Sequence, residues 1–395
     1  MGNTFFIFLS LLTALAILLR EDAILTLVYF LVGTYALSRW WSRRALKTVE
    51  YSRTFRQRAF LYEKVPVRLE LVNRHWLPVP WLQLTETLPL ELIVPSTYRS
   101  VASLGPYDRQ QFTYTLHADR RGYYTIGPLH LRSGDLIGLH EELDTEGAPD
   151  HLIVYPKIIP FAKVRLPSRS PIGTLPHTQP IFEDPSRVRG KRDYVAGDSL
   201  RRVDWKATAV LGRLQVKQFE PSIALETAIL LNLNADEYEQ RTRLDATELA
   251  IVIAASLANW IIGKRQSAGL SVNGADPIGA EEKPQALPPR KGRAHLTRIL
   301  EVLARIRSVP AAPFVQLLQS ETARLPWGTT VILITGSVDD VLFDEIFRAR
   351  RAGLNVVLVL CGTVKNAAEI QRRAEHFGIS VQHFTRERDL EAWRV

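Results

Sequence analysis

The chain has 395 residues, 46% hydrophobic and 23% charged, with 50 Lys and Arg against 41 Asp and Glu and a net charge of +9. That length is enough for two or three domains, and the composition is that of an ordered protein with no low-complexity tract or internal repeat. The basic excess is spread along the chain without a recognised motif, which argues against nucleic acid as a partner.

The first element is a run of Phe, Leu, Ile and Ala over residues 4–19, followed by Arg20-Glu21-Asp22. A second apolar run over 23–37 closes on Arg39-Trp40-Trp41. Each is slightly short of the ~20 residues that span a bilayer. Together they predict a transmembrane α-hairpin over residues 1–45, which makes the lipid bilayer one partner. A signal peptide would need a basic start and a small-residue cleavage site; the start lacks Lys and Arg, and no such site precedes Arg20. Met1-Gly2-Asn3-Thr4-Phe5-Phe6 lacks the Ser or Thr that N-myristoylation uses at the sixth position. Arg39, Arg43, Arg44 and Lys47 flank the second run, so the positive-inside rule places both ends in the cytoplasm. The expected location is the inner membrane, with two helices and cytoplasmic soluble domains. Trp40 and Trp41 suit the interfacial belt.

Residues 46–156 change to short alternating segments. Val65 to Leu71, Phe112 to Leu116, Tyr123 to Ile126 and Leu129 to Arg132 read as strands, broken by Gly127-Pro128. About a hundred residues with this spacing predict an antiparallel, immunoglobulin-like β-sandwich. Trp76-Leu77-Pro78-Val79-Pro80-Trp81 is an apolar loop that either binds a partner or lipid or plugs one end of the sandwich; the plug is the favoured reading.

Residues 157–222 begin as a Pro- and Ser-rich linker with Pro167, Pro171, Pro176, Pro180 and Pro185. A dense mixed-charge block follows. Gly197-Asp198-Ser199 reads as a turn into a helix with Asp198 as N-cap, and Leu200, Val203 and Ala207 share one helical face. Arg201 is placed to lie on the Trp205 indole and to pair with Asp204. Gly212 ends the helix, and Leu214 to Lys217 alternate as a strand. The block is either a docking or anion-binding surface built on Arg192, Arg201, Arg202 and Lys206, or an internal salt-bridge network neutralised by Asp184, Asp193, Asp198 and Asp204. Candidate partner- or ligand-binding residues are Arg192, Asp193, Tyr194, Asp198, Arg201, Arg202, Asp204, Trp205 and Lys206. Within that set, Asp198 and Trp205 are expected to serve the fold, and Arg202 and Lys206 to face solvent.

Asp184-Pro185, Arg192-Asp193-Tyr194, Gly197-Asp198, Arg201-Arg202, Asp204-Trp205-Lys206, Ala209, Leu214, Val216-Lys217 and Phe219-Glu220 resemble the signature of the domain of unknown function 58 family. Weaker matches are Arg121-Gly122-Tyr123-Tyr124, Gly127-Pro128, Gly134-Asp135, Gly138-Leu139 and Gly292-Arg293-Ala294-His295-Leu296. The resemblance implies a bacterial membrane protein with a von Willebrand factor A-like domain and a MoxR-type AAA+ ATPase as partner.

Over residues 223–395 strands alternate with helices. Strand-like runs are 227–233, 269–272, 329–335, 354–360 and 379–384; helical runs are 247–263, 294–306, 314–324, 341–351 and 367–377. This order predicts a parallel sheet with helices on both faces, the von Willebrand factor A-like α/β architecture that the resemblance implies. The single cysteine, Cys361, follows the apolar run 355–360 and reads as a buried strand thiol. One cysteine excludes an intramolecular disulfide and a cysteine-based zinc site.

Metal-binding members of that fold use an Asp-x-Ser-x-Ser loop, a Thr and a later Asp, oxygen ligands suited to magnesium. Here Asn232 and Asn234 stand at the first positions, Ala294 at the Thr, and Ile334-Thr335-Gly336-Ser337 lacks the Asp. Asp236, Asp339 and Asp340 are nearby carboxylates, but the expectation is a scaffold without metal. Gly263-Lys264 is not a P-loop, Gly269 to Asn273 is not a nucleophile elbow, and the nine histidines show no ligand spacing. Glu281-Glu282 reads as solvated loop. No catalytic residue or cofactor is expected. The function that fits is a scaffold or adaptor acting with the ATPase in assembly or maturation of protein complexes; the alternative is an enzyme or a sensor of a small anionic ligand centred on Arg192 to Lys206.

Overall fold

The computed structural model describes residues 2–46, 49–93, 96–134, 141–161, 183–221, 226–278 and 285–391. The chain forms two compact units: Met1–Lys157 with Leu303–Arg305, and Ile158–Val302 with Ile306–Val395.

The first unit begins with two helices, α1 (Gly2–Leu19) and α2 (Asp22–Leu46). Arg20, with φ 53°, makes the reversal between them. Phe5 and Phe6 of α1 meet Tyr35 of α2, with ring centroids 5.3 and 5.4 Å apart, so the helices run side by side in opposite directions. The apolar stretch Asp22–Trp41 is only 11% buried. At ~1.5 Å per residue its 20 residues reach about 30 Å, the thickness of a hydrocarbon layer. Another long apolar helix, Arg243–Gly263, is 78% buried and serves a core instead. The N-terminal pair could therefore cross a membrane, and its Ile7, Leu11, Leu18, Tyr29 and Phe30 are exposed.

Ten strands follow: β1 (Val49–Thr54), β2 (Arg58–Phe60), β3 (Lys64–Asn73), β4 (Val79–Thr87), β5 (Thr97–Leu104), β6 (Arg109–His117), β7 (Gly122–Ile126), β8 (Leu129–Gly134), β9 (Glu141–Glu146) and β10 (Asp150–Tyr155). They form sheets in the orders β1-β3-β6, β5-β4-β8-β9 and β2-β10-β7. All the pairs are antiparallel except β10 with β2. The period-two alternation of β3 sets its inward face. Leu69 and Leu71 pack with Leu82, Leu84, Ala102, Leu129 and Leu131 from the four-stranded sheet. Val65 and Val67 join a second cluster with Leu116, Ile126, Leu152 and Val154.

A buried ion cluster stitches these sheets. The Arg53 Nε donates to Glu86 at 2.6 Å, and its Nη1 meets Asp150 at 2.5 Å. The Tyr114 hydroxyl donates to the other Glu86 oxygen at 2.6 Å. Burial opposes the Arg53 charge, but Glu86 and Asp150 outweigh it and hold the guanidinium above its ordinary pKa. Burial and then the Glu86 carboxylate push Tyr114 far upward, so it stays a donor.

The second unit opens with a hairpin of β11 (Glu183–Asp193) and β12 (Gln215–Pro221) enclosing a short helix, α3 (Trp205–Leu211). Residues 183–186, assigned to the linker from sequence, are thus strand; residues 162–182 of that linker lie outside the described residues, as do Asp135, Gly138-Leu139 and Glu281-Glu282. The remaining elements are β13 (Glu226–Leu231), α4 (Arg243–Gly263), β14 (Ser267–Val272), β15 (Gln285–Arg290), α5 (Arg293–Arg305), α6 (Phe314–Thr322), β16 (Thr330–Thr335), α7 (Asp340–Arg351), β17 (Asn355–Cys361), α8 (Ala367–His376), β18 (Ser380–Phe384) and α9 (Glu387–Glu391).

These build a six-stranded sheet in the order β15-β14-β13-β16-β17-β18. Five strands are parallel, but β15 runs antiparallel to β14 and corrects the expectation of a wholly parallel sheet. Pro288 and Pro289 hid this strand in the sequence, and an edge is where a strand tolerates proline. The central strands are buried on both faces, as their unbroken Val, Ile and Leu runs require. Cys361 ends β17 at 1% exposure, and burial pushes its thiol pKa up. His295, 6% exposed, sits with Nε2 2.8 Å from the Ala268 carbonyl, which requires the proton on that nitrogen.

Candidate functional site

Two places in the second unit gather the residues singled out from sequence. The first is the 190–217 hairpin. Asp198 does not cap a helix. Both its oxygens take hydrogen bonds from Arg192, at 2.6 and 2.7 Å, and one also accepts the Val195 N–H at 3.0 Å. With that carboxylate occupied, residues 200–202 make only a 3-10 turn, and Val203 returns to extended backbone. The helix begins later, and Asp204 is its cap, accepting the Ala207 N–H at 3.1 Å. Gly212 ends it at φ 69°, a left-handed position that suits glycine.

The expected Arg201–Asp204 pair is absent because Lys191, across the hairpin, reaches Asp204 at 2.8 Å. Arg213 pairs with Asp193 at 3.0 Å, and Gln215 donates to the same carboxylate. Hydrogen bonding from Arg192 lowers the pKa of Asp198, and hydrogen bonding from Lys191 lowers that of Asp204. Tyr194 is held through its backbone, its N–H donating to the Leu214 carbonyl at 2.9 Å. Arg192, Asp193, Asp198 and Asp204 are therefore internal partners. The side chain of Asp184 is not among the described ones.

Arg201, Arg202, Trp205 and Lys206 all face solvent. Trp205 is 67% exposed, against the expectation that it serves the fold. It makes no ring contact with Arg201 among the described residues. Arg201 and Lys206 have no ion-pair partner among the described residues. The helix Trp-Lys-Ala-Thr-Ala-Val-Leu buries none of its residues, although five of the seven are apolar. Leu200, Val210 and Leu211 are 63, 80 and 54% exposed around it. Residues 190–217 carry seven Lys and Arg against three Asp, and the three ion pairs engage every acid. The outward surface is thus apolar and basic.

The second place is the C-terminal edge of the six-stranded sheet, where the chain switches from the β13–β14 side to β16. Ligands of open α/β sheets bind at such points. Here a buried amide network fills it. The Asn232 Nδ2 donates to Glu237 at 2.8 Å and to the Thr335 hydroxyl at 2.9 Å. Its Oδ1 accepts from the Asn234 N–H and from Asn273 Nδ2, both at 3.0 Å. Glu237 in turn accepts from Asn234 and from the Phe314 N–H, both at 3.0 Å. Tyr238 donates to the Asn232 carbonyl at 2.7 Å, and burial drives its hydroxyl pKa well upward. A side chain at Gly336 would collide with the Tyr238 ring at 2.2 Å, so only glycine fits there.

Among the described residues no group of three His, Cys, Asp or Glu is arranged to hold a metal ion. Asp339 caps α7 by accepting the Leu342 N–H at 2.8 Å, and Asp340 pairs with Arg373. Beside this network lies an open cleft of ≈ 510 Å³ lined by Asp236, Tyr238, Val338, Phe343, Lys365 and Arg373 among others.

Residues 190–359 match the family model described as "Protein of unknown function DUF58". This region belongs to the DUF58 family. The match opens at Gly190 within β11 and ends within β17, so β18 lies beyond it. The chain is also 26% identical over 259 residues to the uncharacterized protein YeaD of Bacillus subtilis (strain 168), which covers 65% of this chain and 60% of YeaD. It thus spans less than two thirds of that relative. Among solved structures, the CARDB domain of the PF1109 protein from Pyrococcus furiosus is 15% identical, covers 27% of this chain and 86% of that one, and has a TM-score of 0.21. A β-glucosidase from Listeria innocua is 10% identical, covers 27% and 16%, and has a TM-score of 0.18. Likenesses this shallow assign neither fold nor ligand.

Proposed function

We propose that the chain is a non-enzymatic, membrane-anchored adaptor that recruits a protein partner through the outward face of residues 200–214. The observation that carries this reading is α3, a mostly apolar helix in a basic setting, none of whose residues is fully buried and whose Trp205, Val210 and Leu211 are exposed. Apolar helices are normally covered, and exposed apolar patches rimmed by polar groups mark interaction surfaces. Each internal pair holds the backbone beneath this face, so the surface is presented on a fixed frame. The resemblance supplies the partner class, a MoxR-type AAA+ ATPase, and a von Willebrand factor A-like domain; the short alternating strands of residues 46–156 support an immunoglobulin-like sandwich before it. The amide network at Asn232 supports a scaffold of that kind working without metal. The basic flank of α2 supports an inner-membrane chain with cytoplasmic soluble units.

The test is affinity capture of the full chain from solubilised membranes of its own cells, comparing wild type with Arg202→Ala, Trp205→Ala and Lys206→Ala. Loss of an AAA+ ATPase from the eluate in these variants, with unchanged melting, supports the adaptor. Retention of the ATPase by all three would move the docking surface elsewhere. Absence of any AAA+ ATPase from the wild-type eluate would remove that partner.

A further inference from the structure

A second exposed aromatic group lies where α2 leaves its apolar stretch. Asn73, at the end of β3, is buried and fully engaged. Its Nδ2 donates to the carbonyls of Leu77 and Gly105, both at 2.8 Å, and its Oδ1 accepts the His75 N–H at 3.1 Å. The Leu77 N–H donates to His75 Nδ1 at 3.1 Å, while Leu77 and Val79 sink into the core. Trp76, pinned between fixed neighbours, points outward at 54% exposure. The apolar loop is thus a plug through Leu77 and Val79 and a surface through Trp76. Tyr107 donates its N–H to the His75 carbonyl at 3.1 Å. It is held at φ 53°, a left-handed conformation uncommon for a bulky residue, with its side chain 70% exposed. Strain of this kind often marks a functional position.

From the helix side, Trp41 meets Trp76 edge-on at 6.2 Å and donates its indole N–H to the Pro78 carbonyl at 3.0 Å. Its neighbour Trp40 is 49% exposed, with the Arg44 guanidinium 5.9 Å from its ring.

We propose that Trp40, Trp76 and Tyr107 form an aromatic collar seated in the headgroup layer of the bilayer, so that this end of the first unit docks on the lipid surface from which α2 emerges. This placement rests on α2 crossing the membrane; depth then follows from geometry. The apolar stretch ends at Trp41 after about 30 Å. A ring in contact with Trp41 therefore lies within a side chain's length of the hydrocarbon boundary. Indole and phenol rings favour that layer because one end is apolar and the other donates hydrogen bonds. Arg43, Arg44 and Lys47 follow in sequence, with Arg39 just before, and suit anionic headgroups. A protein occupant would have to slide between the rings and the headgroups. The consequence is a unit whose orientation on the bilayer is set by direct contact rather than by a tether alone.

The test uses the full chain in vesicles of phosphatidylcholine and phosphatidylglycerol. Cys361 is buried with a raised thiol pKa, so an introduced cysteine labels alone. Trp76→Cys carries an environment-sensitive fluorophore, with Phe30→Cys as the mid-helix control and Leu244→Cys, 75% exposed in the second unit, as the aqueous control. The label at 76 is expected to be quenched at least about twofold more by lipid spin-labelled near the headgroup than near the chain end, and to be protected from iodide relative to position 244. Iodide access at 76 equal to that at 244, with position 30 still quenched by deep lipid, would overturn the collar and leave the membrane helices intact. Protection from iodide without lipid quenching would place protein there and overturn it too. Iodide access at position 30 would remove both. If Trp76→Cys does not fold, Tyr107→Cys gives the same readout.

Discussion

Arg192 holds Asp198 with both ends of its guanidinium, at 2.6 and 2.7 Å. This bidentate pair diverts the aspartate from capping a helix and delays α3 to Asp204. It makes a rigid turn out of Val195 to Asp198 and leaves the following residues facing water.

The pair has a pH signature. Asp198 and Asp204 titrate below their ordinary value of 3.8 when folded. A depressed carboxylate contributes stability that is complete above the unfolded pKa and is lost as pH falls through the folded one. The hairpin should therefore loosen as pH drops below about 4. Amide exchange at Val195 and Ala207, followed from pH 6 to pH 3, should show protection falling at the acid end. In Asp198→Asn the pH dependence at Val195 should shrink while that at Ala207 remains.

The outward face should be separable from stability. Arg202→Ala, Trp205→Ala and Lys206→Ala remove exposed side chains, so each should change unfolding free energy by no more than about 0.5 kcal/mol. Denaturant titration checks this. A large loss for Trp205→Ala would mean that the indole is covered in the working protein.

Arg53 and Glu86 should behave oppositely. Their side chains are 1% and 0% exposed, and Asp150 and Tyr114 complete the cluster. Glu86→Ala leaves a buried guanidinium short of its partner, which typically costs about 3–5 kcal/mol. Replacing both, as Arg53→Met with Glu86→Leu, should cost less than the single change. Melting of the two variants side by side decides it.

The amide network predicts the outcome of restoring an acid at Asn232. Asn232→Asp removes two donated hydrogen bonds and sets a carboxylate against Glu237, 2.8 Å away. The loss should be at least about 3 kcal/mol. Added magnesium should not recover it. Calorimetry of the wild type with magnesium should show no tight isotherm, and a clear one lost in Asn232→Ala would contradict the scaffold reading.

Orientation is open to a direct check. A reporter active only in the cytosol, fused after Val395, should be active given the basic residues from Arg39 to Lys47. An inactive fusion, with a reporter active only in the periplasm working at the same position, would reverse the topology and remove a cytosolic ATPase as partner.

Wherever pattern and element share a period, the sequence alone was enough. The apolar runs of α1 and α2, the alternation of β3 and β6, the buried runs of β13, β16 and β17 and the helices between them all appear at the expected places. Burial imposes periods of two or 3.6 directly on the residue types. The motif from Arg192 to Glu220 was also legible as a family signature. Partnership was not. Asp198 carries every local mark of a cap, and only the approach of Arg192 on β11 assigns it another task. Asp204 looked like the partner of Arg201, three residues away, until Lys191 reached it across the hairpin. Trp205 reads as core by its size, yet the helix that carries it is short and leaves the indole 67% exposed. Such choices depend on which strand lies beside which, a relation between residues distant in the chain that no local pattern encodes.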